Sequence, residues 1–430
     1  MATTTASMNT TSARRGIRVH LTRMNIFSVL FILIGAWMLL GGRAIGGAVI
    51  TKLTFGEGLP ELPVPTMAFT LVVGVLYLLG GIVGLIPGER LYRIKWVWLF
   101  VNGVLIVPAV LIIAAAGNST NVTVMFQVSV RLATPIVLGA LAGIWCERSG
   151  VVNIAIEGMM LTGACFGFVA FVLLVPSVGT PTAQLLGVII AVLSGGAMAL
   201  LHGWLSITFK TDQVVSGTVI NILALGVTSF VRRQVLLSST AGRETLPIIN
   251  IPVLSNIPIL GPVFFQGQPI FYSMFILLIV THVVLFYTRW GLRTRAVGEN
   301  PRAADTLGIN VQRNRWINVF IGGLIAGLAG AWFSLETTGG FDDNMTSGRG
   351  FIALAAMIFG KYTPIGAFGG GLLFGFSDAL GQRFQFLGVP VPPQFLQMVP
   401  YVITIVVLAG LVGKAVAPKA DGIPYEKEGH

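Results

Sequence analysis

Between Glu147 and Leu161 the sequence ERSGVVNIAIEGMML sets charged and amide side chains inside long apolar stretches. A carboxylate at membrane depth is costly unless it faces protein, water or a partner, so Glu157 points to a solute or ion site. If Asn153 opens a helix here, Glu157 follows one turn later on the same face, and the two form a short polar stripe. A structural reading fits the same spacing, with Glu147, Arg148 and Glu157 forming a loop and an internal ion pair.

The chain carries no residues arranged for other familiar chemistry. Gly360-Lys361 is followed by Tyr362, and Ala355 stands where a phosphate-binding loop needs its first glycine. There is no Ser/His/Asp set, metal-ligand cluster or dinucleotide fingerprint, so the chain is not expected to be an enzyme. Cys146 and Cys165 match neither metal-ligand nor disulfide spacing and read as packing residues. His202 and His282 stand singly in apolar stretches and read as packed side chains.

The elements that position these residues are built for lipid. Of 430 residues, 54% are hydrophobic and 10% charged, against about 25% charged in soluble domains. The fold class is therefore all-α and polytopic. A spanning helix needs about 20 mostly apolar residues. Candidate segments run over 26–48, 66–87, 96–116, 124–146, 151–176, 181–206, 212–232, 269–288, 317–338, 350–361, 364–383 and 396–415. Residues 350–361 are too few to cross alone, and Gly, Pro or charge interrupts the chain around Gly150 and Pro364. About ten to twelve crossings result, some broken or re-entrant, and the breaks mark the solute path because irregular backbone at that depth must be buried or line a cavity. Gly323 and Gly327, Gly366 and Gly370, and Gly371 and Gly375 stand four apart, a spacing that favours close helix packing inside the subunit.

The net charge of +11 fits positive-inside topology better than nucleic-acid binding, because the arginines cluster beside apolar segments. Arg14, Arg15, Arg18 and Arg23, the loop from Glu89 through Arg90 and Arg93 to Lys95, and the loop 289–316 fall on one side. That side is read as cytoplasmic, with both termini there and the chain in the inner membrane. Arg232, Arg233 and Arg243 fall outside as an exception, and 234–268 reads as an outer lid, docking surface or plain connector. The expected organisation is a basic tail over 1–25, an amino-terminal transmembrane extension over 26–120, a main transmembrane core over 121–416 that carries the cytoplasmic loop 289–316, and a cytoplasmic tail over 417–430.

The loop 289–316 encodes one short helix. Glu299 precedes Asn300, a good N-cap; Pro301 suits the first helical position, and Gly308 suits the left-handed residue beyond Leu307. A helix of about seven residues, near 10 Å long, does not persist alone in water. It needs a dock, and Arg302, Ala303, Ala304 and Asp305 suit a knob entering a partner's groove. Packing on its own membrane domain is the other reading.

Three long stretches carry a resemblance: GVVNIAIEGMMLTGA from Gly150, AVGENPRAADTLGI from Ala296 and GRGFIALAAMIFGKYTPIGA from Gly348. Together they resemble the membrane permease subunits of ATP-binding-cassette importers of the branched-chain amino acid and ribose type, and in particular those of nucleoside and simple-sugar importers. The match runs over about residues 124–415 and is weak over 1–120. The resemblance implies that Asn300 to Leu307 is the coupling helix received by an ATPase subunit, with ATP and Mg on that partner and no cofactor on this chain. It implies a solute path through Asn153, Glu157, Thr218, Asn221 and Phe341, whose ring could stack on a flat base or sugar face. It also implies a second, non-identical permease and an extracytoplasmic solute-binding lipoprotein.

Two other classes compete. An ion-coupled secondary transporter explains broken helices and a membrane carboxylate equally well, but its relay needs several facing carboxylates, and Glu157 and Asp378 stand nearly alone. A membrane-embedded enzyme lacks catalytic motifs.

Overall fold

The computed structural model describes residues 23–56, 58–86, 91–237, 244–386, 398 and 415–427. Arg14, Arg15, Arg18, Glu89, Arg90 and Arg243 lie outside them, as does most of segment 396–415. Among the described residues, nine helices are long and apolar enough to cross a membrane. The chain is an all-α, multi-pass membrane protein.

The helices are α1 (Arg23–Gly42), α2 (Thr66–Leu85), α3 (Tyr92–Ala114), α4 (Val122–Glu147), α5 (Ile156–Val178), α6 (Thr180–Gly203) and α7 (Gln213–Val231). They continue as α8 (Pro269–Tyr287), α9 (Arg289–Glu299), α10 (Pro301–Thr306), α11 (Val311–Ala331), α12 (Arg349–Phe359) and α13 (Pro364–Phe386). Wider π-type turns extend α6, α7 and α11 as far as Thr208, Leu236 and Thr338. Strand β1 (Ile50–Thr54) pairs antiparallel with β2 (Leu62–Pro65) and parallel with β3 (Ser119–Asn121). Short strands β4 (Ile249–Asn250) and β5 (Gln266–Gly267) pair within the stretch 234–268, read from the sequence as a lid, docking surface or plain connector.

The chain divides into two compact units. The smaller takes in α1 and Thr70–Val107, and the larger takes in Ile45–Phe69 and the chain from Pro108 onward. In the smaller unit α1 and α2 meet through glycines: a Cβ on Gly35 would lie 2.7 Å from the Gly74 carbonyl oxygen, and one on Gly81 would lie 2.6 Å from that of Ser28.

The larger unit is organised around α4, which is buried along most of its length and packs against α8, α11, α12 and α13. Helix α5 packs against α6, α7 and α11. Small residues let α6 and α11 approach closely. A Cβ on Gly323 would fall 2.2 Å from that of Ala199, and one on Gly327 would fall 2.3 Å from the Ala191 carbonyl oxygen. Gly366, Gly370, Gly371 and Gly375 likewise face backbone or side chains of their own subunit. Without water inside the bilayer, such packing carries much of helix association.

Overpacking a close-packed core costs about 1–3 kcal/mol, and here backbone opposes the added atoms. Gly327→Val is therefore expected to lower the thermal unfolding midpoint in detergent by several degrees or prevent accumulation, whereas Gly369→Ala, at a position with open space around its would-be Cβ, should leave it unchanged.

Candidate functional site

The polar stripe read from the sequence does not form. Residues 151–153 have no regular structure, Ile154 and Ala155 make a turn, and α5 begins at Ile156 with Ala155 at its cap and no side-chain cap. Asn153 is fully buried. Its amide donates to Cys146 Sγ at 3.3 Å and Met159 Sδ at 3.6 Å, and its Oδ1 has no partner among the described residues. It therefore neither opens the helix nor lines its face with Glu157.

The cap comes from Asn221 on α7. Asn221 Oδ1 accepts from Gly158 N at 2.8 Å, while its Nδ2 donates to the Ile154 carbonyl at 2.9 Å. One amide thus serves the first turn of α5 and the bend before it. Thr218 does not join it: it lies on the exposed face of α7 and donates to the Val214 carbonyl at 2.9 Å.

Glu157 is buried and accepts three hydrogen bonds, from Thr346 Oγ1 at 2.6 Å, Gly348 N at 2.8 Å and Gly350 N at 2.6 Å. Its partners are the loop before α12 and the first turn of α12. A Cβ on Gly350 would lie 2.6 Å from Glu157 Cα, so the close approach requires glycine. The loop holds four left-handed residues, Gly339, Asn344, Ser347 and Gly348; for the two that are not glycine this is uncommon backbone that surrounding contacts must maintain. The alternative ion pair does not form either. Arg148 donates to the Tyr362 carbonyl at 2.9 Å and lies over the Phe286 ring.

Phe341 opens the same loop and lines a cavity of about 290 Å³ with Phe168, Val172, Arg232, Leu236 and Asp342. Arg232 donates to the Phe341 carbonyl at 3.3 Å, Asp342 at 2.9 Å and Asp343 at 3.2 Å. The arginine that broke the topology count is thus balanced by two aspartates.

The opposite end of α11 carries α10. Asn300 Oδ1 accepts from Ala303 N at 3.1 Å, Pro301 takes the first turn, and Gly308 is left-handed at φ +80°. Ala304, read as part of an outward knob, points the other way. It is buried with Val297, Val311 and Tyr425, because the inner side of so short a helix must rest on its own subunit. The outward face presents Arg302, Ala303, Thr306 and Leu307, which is 81% exposed.

Two groups at this end escaped the sequence reading. Thr294, Asn314 and Asn318 hydrogen-bond together and, with Trp290 donating to Asn318, fasten α9 to α11. Arg315, 2% exposed, donates to the carbonyls of Ser149, Ala420 and Ile423. Asp421 lies beside Glu147, and burial pushes its carboxyl up to about 6. A charged residue in the first turns of a long apolar helix was the only sequence signal for Arg315.

The architecture is that of a multi-pass membrane protein with irregular backbone inside its bundle and a short exposed helix at one end. A family model described as the permease component of branched-chain amino acid transport systems matches residues 125–408, and the chain belongs to that family. It is 42% identical over 302 residues to the guanosine ABC transporter permease protein NupQ of Bacillus subtilis, covering 69% of this chain and 94% of that one. It is also 42% identical over 299 residues to the nucleoside ABC transporter permease protein NupC of Lactococcus lactis, covering 68% and 94%. It is 24% identical over 320 residues to NupB of the same organism, covering 73% and 86%. No solved structure matches. The family supports the importer-permease reading over the ion-coupled alternative, and makes the chain a transport component.

Removing the Glu157 carboxylate strands two backbone donors, each worth about 1–3 kcal/mol when left buried and unpaired. Glu157→Ala is therefore expected to lower the unfolding midpoint and to speed amide exchange over 344–350, while leaving exchange over α10 unchanged. The Asp421 carboxyl predicts a pH dependence. Its value near 6 in the folded chain, above its ordinary 3.8, means the docked segment binds more protons than the released one. Because Asp421 titrates beside the Glu147 carboxyl and the two charges repel, docking of 415–427 should weaken progressively as pH rises above about 4. Amide exchange corrected for intrinsic rates reads this, and Asp421→Asn should blunt the change.

Proposed function

We propose that this chain is one of two non-identical permease subunits of an ATP-driven importer that carries nucleosides across the inner membrane, with α10 on the cytoplasmic side. The observation that carries the reading is α10: a capped helix of six residues, seated on one buried alanine, that turns Arg302, Ala303, Thr306 and Leu307 outward. Glu299 and Asn300 lead into it, Asp305 lies in its last turn, and Leu307 and Gly308 lead out. An ATPase subunit would receive that face and hold the ATP and Mg, while this chain binds no cofactor.

The solute class rests on the nucleoside and guanosine permeases that match over nearly their whole length. The cavity beside Phe341 agrees with it. Two phenylalanine rings offer flat apolar surface, and Asp342, largely exposed, can accept from ribose hydroxyls. Among the described residues that line the cavity, Arg232 is the one basic side chain and is already balanced by two carboxylates, so they offer no spare positive charge to favour a phosphate ester. Asn153, Glu157 and Asn221 would shape the path from behind by holding the α5 entry and the loop at 339–348. Thr218, on the exposed face of α7, would meet lipid or the second permease. A solute-binding lipoprotein would deliver cargo to the cavity side, and ATPase closure would shift the bundle between outward and inward states through its different contacts in each.

The test is uptake into vesicles holding this chain, the second permease and the ATPase, with binding protein supplied. Labelled guanosine should accumulate only with ATP, and Ala303→Trp should abolish uptake while the permease remains inserted. Uptake driven by a proton or sodium gradient without the ATPase, or undiminished uptake by Ala303→Trp, would overturn the reading.

A further inference from the structure

The segment 415–427 runs beneath the α10 end of the larger unit, and its contacts are too specific for a loose tail. Ala420 N donates to the Gly298 carbonyl at 2.9 Å. Arg315 donates to the carbonyls of Ile423 at 3.0 Å and Ala420 at 3.5 Å, and through Nε to that of Ser149 at 3.2 Å. Tyr425 is buried among Val297, Ala304 and Val311, and Lys210 pairs with Glu426 at 2.7 Å. Two glycines make room for this arrangement. A Cβ on Gly150 would lie 2.8 Å from Arg315 Nη2 and 3.0 Å from the Ala420 carbonyl oxygen, and one on Gly298 would lie 2.3 Å from the Arg148 carbonyl oxygen.

These contacts form a continuous route. Helix α10 rests its single buried side chain, Ala304, on a cluster whose bulkiest member is Tyr425. Tyr425 belongs to a segment tied by Arg315 to Ser149, which opens the stretch leading into α5. That stretch is gripped on its other side: Val152 N donates to Gln213 Oε1 at 2.7 Å, and His202 Nε2 hydrogen-bonds to the Val152 carbonyl at 2.9 Å. Four residues into it Asn153 is buried, and Glu157 then holds the loop below the cavity.

We propose that the segment 415–427 is a working part of the coupling apparatus, a clasp through which a displacement of α10 reaches the entry of α5, with Tyr425 and Arg315 as its positioning residues. The inference rests on the importer reading, and deepens it by placing transmission in a segment outside α10 itself. Adjacency alone does not establish coupling between sites, which requires an element whose state both ends bias. The clasp meets the structural half of that requirement, because it touches both the α10 platform and the α5 entry.

The experiment uses the complete transporter in vesicles and reads three quantities together: ATPase co-purification, ATP hydrolysis and solute taken up per ATP hydrolysed. Tyr425→Ala is expected to retain the ATPase and its hydrolysis while uptake per ATP falls at least about fivefold, the lower end of typical coupling between sites. Tyr425→Phe should restore it. Arg315→Met should lower uptake per ATP likewise, and Tyr425→Ala with Arg315→Met together should be no worse than the poorer single variant, as expected of two parts of one route.

Unchanged uptake per ATP in Tyr425→Ala would overturn the proposal. So would a loss of uptake matched by equal loss of bound ATPase, which would make the segment a static platform. Should Tyr425→Ala not accumulate, Tyr425→Leu carries the same expectation; failure of both to fold would assign the segment to folding alone and overturn the proposal too. The importer reading fails separately, if the unaltered complex moves solute without hydrolysing ATP.

Discussion

The larger unit depends on one constraint: backbone groups at membrane depth have no water to turn to and must find partners inside the protein. Helix starts feel this most, since the first four N–H groups of any helix lack intrahelical acceptors. Among the described helices that begin without a side-chain cap of their own are α5 at Ala155, α8 at Gln268 and α12 at Gly348. Each is served from another helix. Asn221 accepts from Gly158, Glu157 accepts from Gly348 and Gly350, and Glu336 accepts from Ile270 at 2.6 Å and Phe271 at 3.1 Å. A carboxylate at a helix start also meets the positive end of the helix dipole, which offsets part of the cost of burying it.

The same constraint explains how an eleven-residue helix such as α12 can belong to a membrane crossing. Phe341 lies beside Phe168 at the cavity, and Gly348 lies beside Glu157, eleven residues back along α5, or about 16 Å at the helical rise. The loop therefore descends into the bundle before α12 begins, and α12 continues toward Tyr362, whose carbonyl takes the Arg148 guanidinium. Loop and helix together make one broken crossing. The irregular half survives because Glu157 and Arg232 hold its two ends.

What the sequence disclosed follows from the range of the forces involved. Apolar length and composition act locally, so the spans from α1 to α11 fall close to their predicted bounds, and the caps of α10 at Asn300 and Gly308 were legible because cap and helix are contiguous. The glycine spacing also translated directly, since four residues apart on α11 is one face whichever helix packs there. Asn153 misled for the opposite reason: local capping rules assign it to α5, but an amide from α7, more than sixty residues away, took the role. Ala304 misled because a short helix has an inner as well as an outer face, and small size alone does not say which. Thr218 and Asn221, three apart, are neighbours on α7, yet the edge of the buried stripe passes between them. Arg315 and Glu336 needed partners far along the chain, and no spacing rule reaches that far.

Stiffness is unevenly distributed along the route from α10 to the cavity, and the distribution has a physical consequence. Helices α6 and α11 meet through glycines with backbone against backbone, so they cannot slide without losing many close contacts at once. Helix α10 is seated by one buried methyl group and a terminal segment, contacts that can be re-made at modest cost. The α6–α11 pair is therefore the stiffer element and α10 the more lightly held one. Such an arrangement favours two discrete positions over continuous bending, because packed interfaces repack between alternatives and do not stretch. The strained loop beside the cavity sits at the far end of that rigid pair, where a small rotation about the α10 end is largest.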